Sequence, residues 1–470
     1  MTRQLELPLG RRGEAPSVRR SGEAPTAANG DRRSGTDHLM EEVVERSNAR
    51  AALKRVRQNK GSPGSDGMTV EELPRHLAER WEDLRAALLA GTYQPMPVKR
   101  QSIPKRGGGM RDLGIPCALD RFLQQAILQV LQPRFDRTFS EHSYGFRPGR
   151  RAHDAVRAAQ RYIQEGRSWV VDVDLEKFFD RVNHDVLMGR LAKRIEDRRM
   201  LGLIRRYLEA GIMADGVVME RHEGTPQGGP LSPLLANVLL DEVDRELEKR
   251  GHAFARYADD CNVYVRSKRA GEDVMRTLRR LYAKLRLRVN EAKSAVARPR
   301  DRKFLGYSFW VAREGEVKRR VAPEALRAMK ERVRHITGRN GGRSMTSVVT
   351  ELRGYLTGWK EYDRLAETPS IFRSLDGWVL RRLRAVQLKQ WKRGTTVFRE
   401  LTARRVPRRS ARAAAASATH WWRTAAHGAL HTALPAGYYY DAGRIPRLAG
   451  NLNLSNRRMR TRMSGGVGGE

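Results

Sequence analysis

Val171-Asp172-Val173-Asp174-Leu175-Glu176-Lys177-Phe178-Phe179-Asp180 and Phe254-Ala255-Arg256-Tyr257-Ala258-Asp259-Asp260 decide how this chain reads. Each is an apolar, β-prone run that ends in carboxylates, a poor choice at a buried strand end because unpaired negative charge is expensive to desolvate. A divalent cation removes that penalty. Two such strands side by side let Asp174 and Asp259 share hard cations of the Mg²⁺ type, which keep waters and accept substrate phosphate oxygens. Asp172 and Asp180 are near enough to reach the area and are left outside the metal shell. Asp259-Asp260 also reads as a solvated β-turn, where Asp is common. Tyr257 before it and Val263-Tyr264-Val265 after it tie the turn to a buried sheet instead.

The chain has 470 residues, enough for roughly three domains, and its 40% hydrophobic content supports a sizeable core. Against 54 Asp+Glu stand 91 Lys+Arg, a net charge of +37 spread along the whole length. That imbalance works against compactness and favours an extended polyanion as partner, with nucleic acid first. No apolar run approaches the roughly 20 residues of a membrane-spanning helix, and Met1 to His38 lacks the apolar region of a secretory signal. Cys117 and Cys261 alone exclude a disulfide framework or a Cys-based zinc cluster and fit a reducing cytoplasm.

Residues 1–38, rich in Arg, Gly, Pro and Ser, are predicted to form a disordered basic arm. Helical spacing starts at Leu39 and is expected to stop at the Lys60 to Gly67 loop; Leu73, Leu77, Trp81, Leu84 and Leu88 mark a second helix. Residues 97–103 and 110–116 read as a hairpin with a glycine-rich tip. Helices are expected near 119–133, 152–165, 185–210, 231–250 and 271–286. Strands are expected at 169–174, on both sides of the Ala258-Asp259 turn, at 289–296 and at 304–310. After about 320 strand signals disappear, and helices follow near 323–337, 346–361 and 371–393.

Seven ordered blocks carry a resemblance. They are Gln101-Ser102-Ile103-Pro104-Lys105 with Asp112-Leu113-Gly114-Ile115-Pro116; Glu141-His142-Ser143-Tyr144-Gly145-Phe146-Arg147-Pro148; Asp172 to Asp180; Gly224 to Pro233; Tyr257-Ala258-Asp259-Asp260; Asn290-Glu291-Ala292-Lys293-Ser294; and Phe304-Leu305-Gly306-Tyr307. Over about residues 40 to 450 the chain resembles a bacterial group II intron-encoded reverse transcriptase/maturase. The resemblance implies an α+β right-hand polymerase: fingers and palm over 39–315 with an antiparallel palm sheet plus helices, an α-helical thumb/maturase domain over 316–405, and a basic C-terminal RNA/DNA-binding module over 406–470. Many relatives add a Cys/His endonuclease; with no Cys after 261, that activity is not expected.

By resemblance, Asp174, Asp259 and Asp260 are the catalytic metal ligands for two Mg²⁺ ions, with Mn²⁺ as the alternative. Lys105 and Arg111 flank Gly107-Gly108-Gly109, so both cations project from a hairpin able to fold over a triphosphate; solvated loop charges are the bland alternative. Phe179 matches the bulky residue under the nucleotide sugar, with core packing, the expected role of Phe178, as its alternative; Gln227 matches the residue beside the incoming nucleotide, and Lys293 a proton donor to pyrophosphate, a phosphate contact or a surface charge. In the helical third, Phe372, Leu375, Val379, Leu383 and Val386 form a packing stripe. Arg353, Trp359, Arg381, Arg384, Lys389 and Lys392 are expected to meet RNA on the remaining surface. Trp421-Trp422 either stack on bases or pack in the core.

The implied function is RNA-directed DNA polymerisation, with dNTPs, an RNA template and a DNA primer or target. The implied partner is the group II intron RNA, whose splicing and retrohoming the protein assists. Two readings stay open beside it: an RNA-binding maturase with a vestigial polymerase site, and a defence-associated or diversity-generating reverse transcriptase.

Overall fold

The structure, a computed structural model, describes residues 37–104, 109–214, 217–226, 228–339 and 341–450, and for Arg111 the backbone alone. Lys105, Gln227, the side chain of Arg111, the arm before Asp37 and the part of the C-terminal module after Gly450 lie outside the described residues. The chain forms two compact units, Met1–Arg298 and Pro299–Glu470.

The first unit contains two sheets. Strands β1 (Val98–Pro104) and β2 (Met110–Ile115) make the expected hairpin, and β4 (Ile212–Ala214) and β5 (Val217–Met219) extend it in the order β2-β1-β4-β5. The β4–β5 hairpin was not foreseen, because strands of three residues are too short to show alternation. The second sheet runs β6-β7-β3-β8, with β3 (Trp169–Val173) at its centre beside β7 (Asp260–Val265), β6 (Ala253–Tyr257) at one edge and β8 (Ala295–Ala297) at the other. Every pairing in it is antiparallel. This is the expected α+β palm arrangement.

Alternation along β3 and β7 sends side chains to both faces, and both are covered. Val171, Val173, Cys261 and Val263 join the large helical core, while Tyr264 meets Tyr162 of the helix Ala152–Gln164 with ring centroids 5.7 Å apart. The long helix expected over 185–210 is two, His184–Leu191 and Arg198–Glu209. Asp197 causes the break: its buried carboxylate accepts from the backbone N–H groups of Arg199 and Met200 and from that of Met40, so the chain restarts at an N-cap.

In the second unit, β9 (Tyr307–Val311) pairs antiparallel with β10 (Val317–Val321), and the expected boundary at 315 falls between them. The sequence hides β10 behind Lys318, Arg319 and Arg320. Arg319 is held by Glu367 at 3.0 Å and Arg320 donates to Ser308 Oγ at 2.9 Å. Helices Pro323–Ile336, Met345–Asp363 and Pro369–Trp391 fall where expected, and the Arg/Ala-rich region beyond forms further short helices.

Candidate active site

The turn between β6 and β7 has two residues, Ala258 and Asp259, closed by the pair Tyr257 and Asp260. Ala258 sits at φ 59°, a left-handed conformation that a non-glycine residue adopts only when its surroundings enforce it. The β3–β7 register runs to Val173 opposite Cys261. Continued by one residue it sets Asp174 across from Asp260, on the same face of the sheet. Asp174 and Asp259 are half-buried and Asp260 is exposed. The backbone therefore sets Asp174, Asp259 and Asp260 at one end of the sheet.

Asp174 is held through its backbone. Its carbonyl accepts from Asn290 N at 2.8 Å, and its N–H donates to Ser294 Oγ at 3.0 Å. The strand expected over 289–296 is therefore shorter: Asn290 to Ser294 leaves the ladder to wrap this residue, and pairing with β3 resumes only at Ala295. The wrap puts Lys293 Nζ 3.7 Å from Asp174 Oδ2.

Phe178 is buried in the core, whereas Phe179 is half-exposed and meets Phe178 edge-on at 5.1 Å. The Phe179 carbonyl accepts from Thr225 N at 2.7 Å, which anchors the start of the Gly224 to Pro230 loop beside it. His184 fixes the same loop, its Nε2 2.7 Å from Gly224 O. Facing a carbonyl oxygen, Nε2 is the donor of this bond, and burial lowers the His184 pKa below the usual histidine value.

Among the described residues, no group of three or more His, Cys, Asp or Glu is gathered closely enough to hold a metal ion by itself. Asp174, Asp259 and Asp260, all described, therefore do not form such a group on their own; hard divalent cations are ordinarily held by one or two carboxylates together with waters and substrate phosphates. The donor set, hard oxygens on two half-buried carboxylates and one exposed one with no sulfur among them, fits a hard divalent cation.

A buried network behind the turn escaped the sequence reading. Arg256 and Asp244 form an ion pair at 2.5 Å with both side chains fully buried, and Arg256 also reaches Asn237, Ser143 and the Ala258 carbonyl. Full burial pushes the Asp244 carboxyl up, against the pull of the guanidinium. An Arg before Tyr-Ala-Asp-Asp, in a strand otherwise apolar, was the signal available.

The RNA-facing expectations divide. Phe372, Leu375, Val379, Leu383 and Val386 are all buried. Arg381 lies 4.1 Å over the Trp422 ring and Lys389 4.2 Å over that of Trp421; Arg353 is half-exposed and Lys392 exposed. Trp359 packs beside Phe372, ring centroids 5.7 Å apart. Arg384 is a correction: it is buried, its Nε donates to Leu434 O at 3.1 Å, and burial lowers its pKa. Helices packed around Pro369–Trp391 cover the flank that one apolar stripe had left open, so Arg384 is not a surface contact for phosphate.

Comparison with known proteins agrees with this geometry. Residues 103–309 match the family model "Reverse transcriptase (RNA-dependent DNA polymerase)", and residues 326–405 match "Group II intron, maturase-specific domain". The chain is 34% identical over 280 residues to Protein YkfC of Escherichia coli (strain K12), covering 51% of this chain and 73% of that protein. It is 35% identical over 195 residues to the Group II intron-encoded protein LtrA of Lactococcus lactis subsp. cremoris, covering 41% of this chain and 32% of LtrA. The match thus spans about a third of LtrA. Reverse transcriptases work with divalent metals, in keeping with the carboxylates at the sheet end. The chain belongs to the family of group II intron-encoded reverse transcriptases, RNA-directed DNA polymerases joined to a maturase-specific domain.

Proposed function

We propose that this protein extends a DNA primer on an RNA template, using dNTPs and two Mg²⁺ ions held by Asp174, Asp259 and Asp260, and that it binds group II intron RNA to assist splicing and retrohoming. The observation that carries this reading is the register that sets Asp174 across from Asp260 beside the Ala258-Asp259 turn. Divalent ions bound there would lower the pKa of the primer 3′-hydroxyl and offset charge on the triphosphate.

The chain's own groups supply the rest. Asp174, one residue past the end of β3, and Asp259, in the β6–β7 turn, would supply carboxylate oxygens to the ions. Lys293, beside Asp174, is placed to give a proton to the departing pyrophosphate or to hold a phosphate oxygen. The Phe179 ring, whose carbonyl anchors Thr225 at the start of the Gly224 to Pro230 loop, is assigned to pack under the sugar and leave no room for a 2′-hydroxyl. Lys105, Arg111 and Gln227 are assigned to the triphosphate and base by their matching motif positions. We assign 39–315 to fingers and palm, 316–405 to thumb and maturase, and 406–470 to a basic RNA/DNA-binding module; the two family matches at 103–309 and 326–405 support the first two.

Primer extension on an RNA template tests the catalytic claim. Sequencing of RNA that copurifies with the protein tests the partner: enrichment of a group II intron supports it, and enrichment of other RNA alone rejects it.

A further inference from the structure

Arg256 stands on β6 two residues before the turn, and its side chain never reaches solvent. All five N–H donors of its fork have acceptors. Nε bonds both Asp244 oxygens at 2.8 and 3.0 Å, Nη1 bonds Asn237 Oδ1 and the Ala258 carbonyl, each at 2.9 Å, and Nη2 bonds Asp244 and Ser143 Oγ. A fully desolvated ion pair is weak evidence for stability, since apolar side chains of similar volume serve about as well. What an apolar substitute does not supply is a donor aimed at Ala258, the left-handed residue that bends the chain toward Asp259.

The turn is gripped from its other side by Gly145. A Cβ there would lie 2.2 Å from Ala258 N and 2.8 Å from the Tyr257 carbonyl carbon, so the space admits glycine alone. The two grips are tied together: Asn237, which accepts from Arg256, donates to Gly145 O at 2.9 Å. Backbone bonds complete the frame, from Arg256 N to His142 O and from Tyr144 N to Arg256 O.

We infer that Arg256, with Asp244, Asn237 and Gly145, is a buried clamp that sets the position of the Ala258-Asp259 turn and so tunes how tightly the carboxylates hold the catalytic ions. Arg256 is then a positioning residue: it touches neither substrate nor metal. This rests on the reading that Asp259 and Asp260 bind those ions. The clamp acts because displacing a metal-bearing group by a fraction of an ångström disturbs the aligned phosphoryl-transfer geometry, whereas stability depends on the surrounding core.

The test uses the full-length protein with Arg256→Lys, which keeps the charge but not the fork, and Gly145→Ala, which presses on the turn from the opposite side. Asn237→Ala, which adds no bulk, replaces either variant if it fails to fold by circular dichroism. In the folded variants kcat for primer extension falls about 10²-fold, and the Mg²⁺ concentration for half-maximal rate rises about tenfold. The Kd for template-primer measured in EDTA stays within about twofold, because the clamp contacts no nucleic acid. A lowered melting temperature with unchanged kcat and unchanged Mg²⁺ dependence overturns the clamp. Asp259→Asn separates the two layers: if it retains activity, the metal reading fails and the clamp with it; if it is inactive while the clamp variants match wild type, the clamp alone fails.

Discussion

Lys293 holds its ammonium 3.7 Å from the Asp174 carboxylate because Asn290 to Ser294 wraps the end of β3. That places an acid beside the proposed path of the leaving group. Lys293→Ala is expected to lower kcat about 10²-fold, with dNTP KM little changed. A large rise in KM with kcat intact would make Lys293 a phosphate contact instead.

Phe179 is half-exposed where Phe178 is buried, so the two adjacent rings have separate tasks. Phe179→Ala should weaken discrimination against ribonucleotides by about 10²-fold, the order expected when a pocket no longer excludes one hydroxyl. Competition between dATP and ATP on a poly(U) template measures it. Unchanged discrimination would remove the assignment.

The periodic parts of this architecture were legible from sequence. The acidic strand, the Ala258-Asp259 turn and most helices announce themselves because a two- or 3.6-residue repeat is itself the cause of the element. The rest depends on partners distant in sequence. Nothing local shows that Arg256 will meet Asp244, or that Val317 to Val321 will find β9. The Arg384 error has the same origin. One apolar stripe shows that a helix is buried, not on how many sides, and Leu380, Ala385 and Leu388 are buried around Pro369–Trp391 as well.

That correction separates two classes of basic residue. Lys392→Ala and Arg353→Ala should weaken intron RNA binding and reduce the salt dependence of log Kd by about one unit of slope for each phosphate no longer neutralised. Arg384→Ala should leave that slope unchanged and lower stability by about 1–3 kcal/mol, since the Leu434 carbonyl loses its donor. Filter binding across a salt series, beside thermal melts, checks both. An equal slope change from Arg384→Ala would put it back at the RNA surface.

Asp363 is buried at the end of Met345–Asp363, its Oδ1 has no hydrogen-bond partner among the described residues, and burial pushes its carboxyl up to about 7. An unfolded chain releases that proton near about pH 4, so between there and about 7 the folded state binds more protons. Stability contributed by this group therefore falls as pH rises through that window and levels off above it. Asp363→Asn should abolish the fall and melt higher than wild type at pH 8. Parallel melting curves for the two proteins across pH 4.5 to 8 would show that Asp363 does not titrate in this way.

The central claim is that Asp174, Asp259 and Asp260 perform nucleotidyl transfer from one end of the β3–β7 ladder. Extension of a DNA primer on an RNA template with Mg²⁺ and dNTPs, by wild type and by the Asp259→Asn, Asp260→Asn double variant, tests it most directly. Wild type should give full-length product and the double variant a loss of about 10³-fold or more, as expected when the groups holding the catalytic ions are removed. Equal extension by both proteins, or none by either, would contradict it.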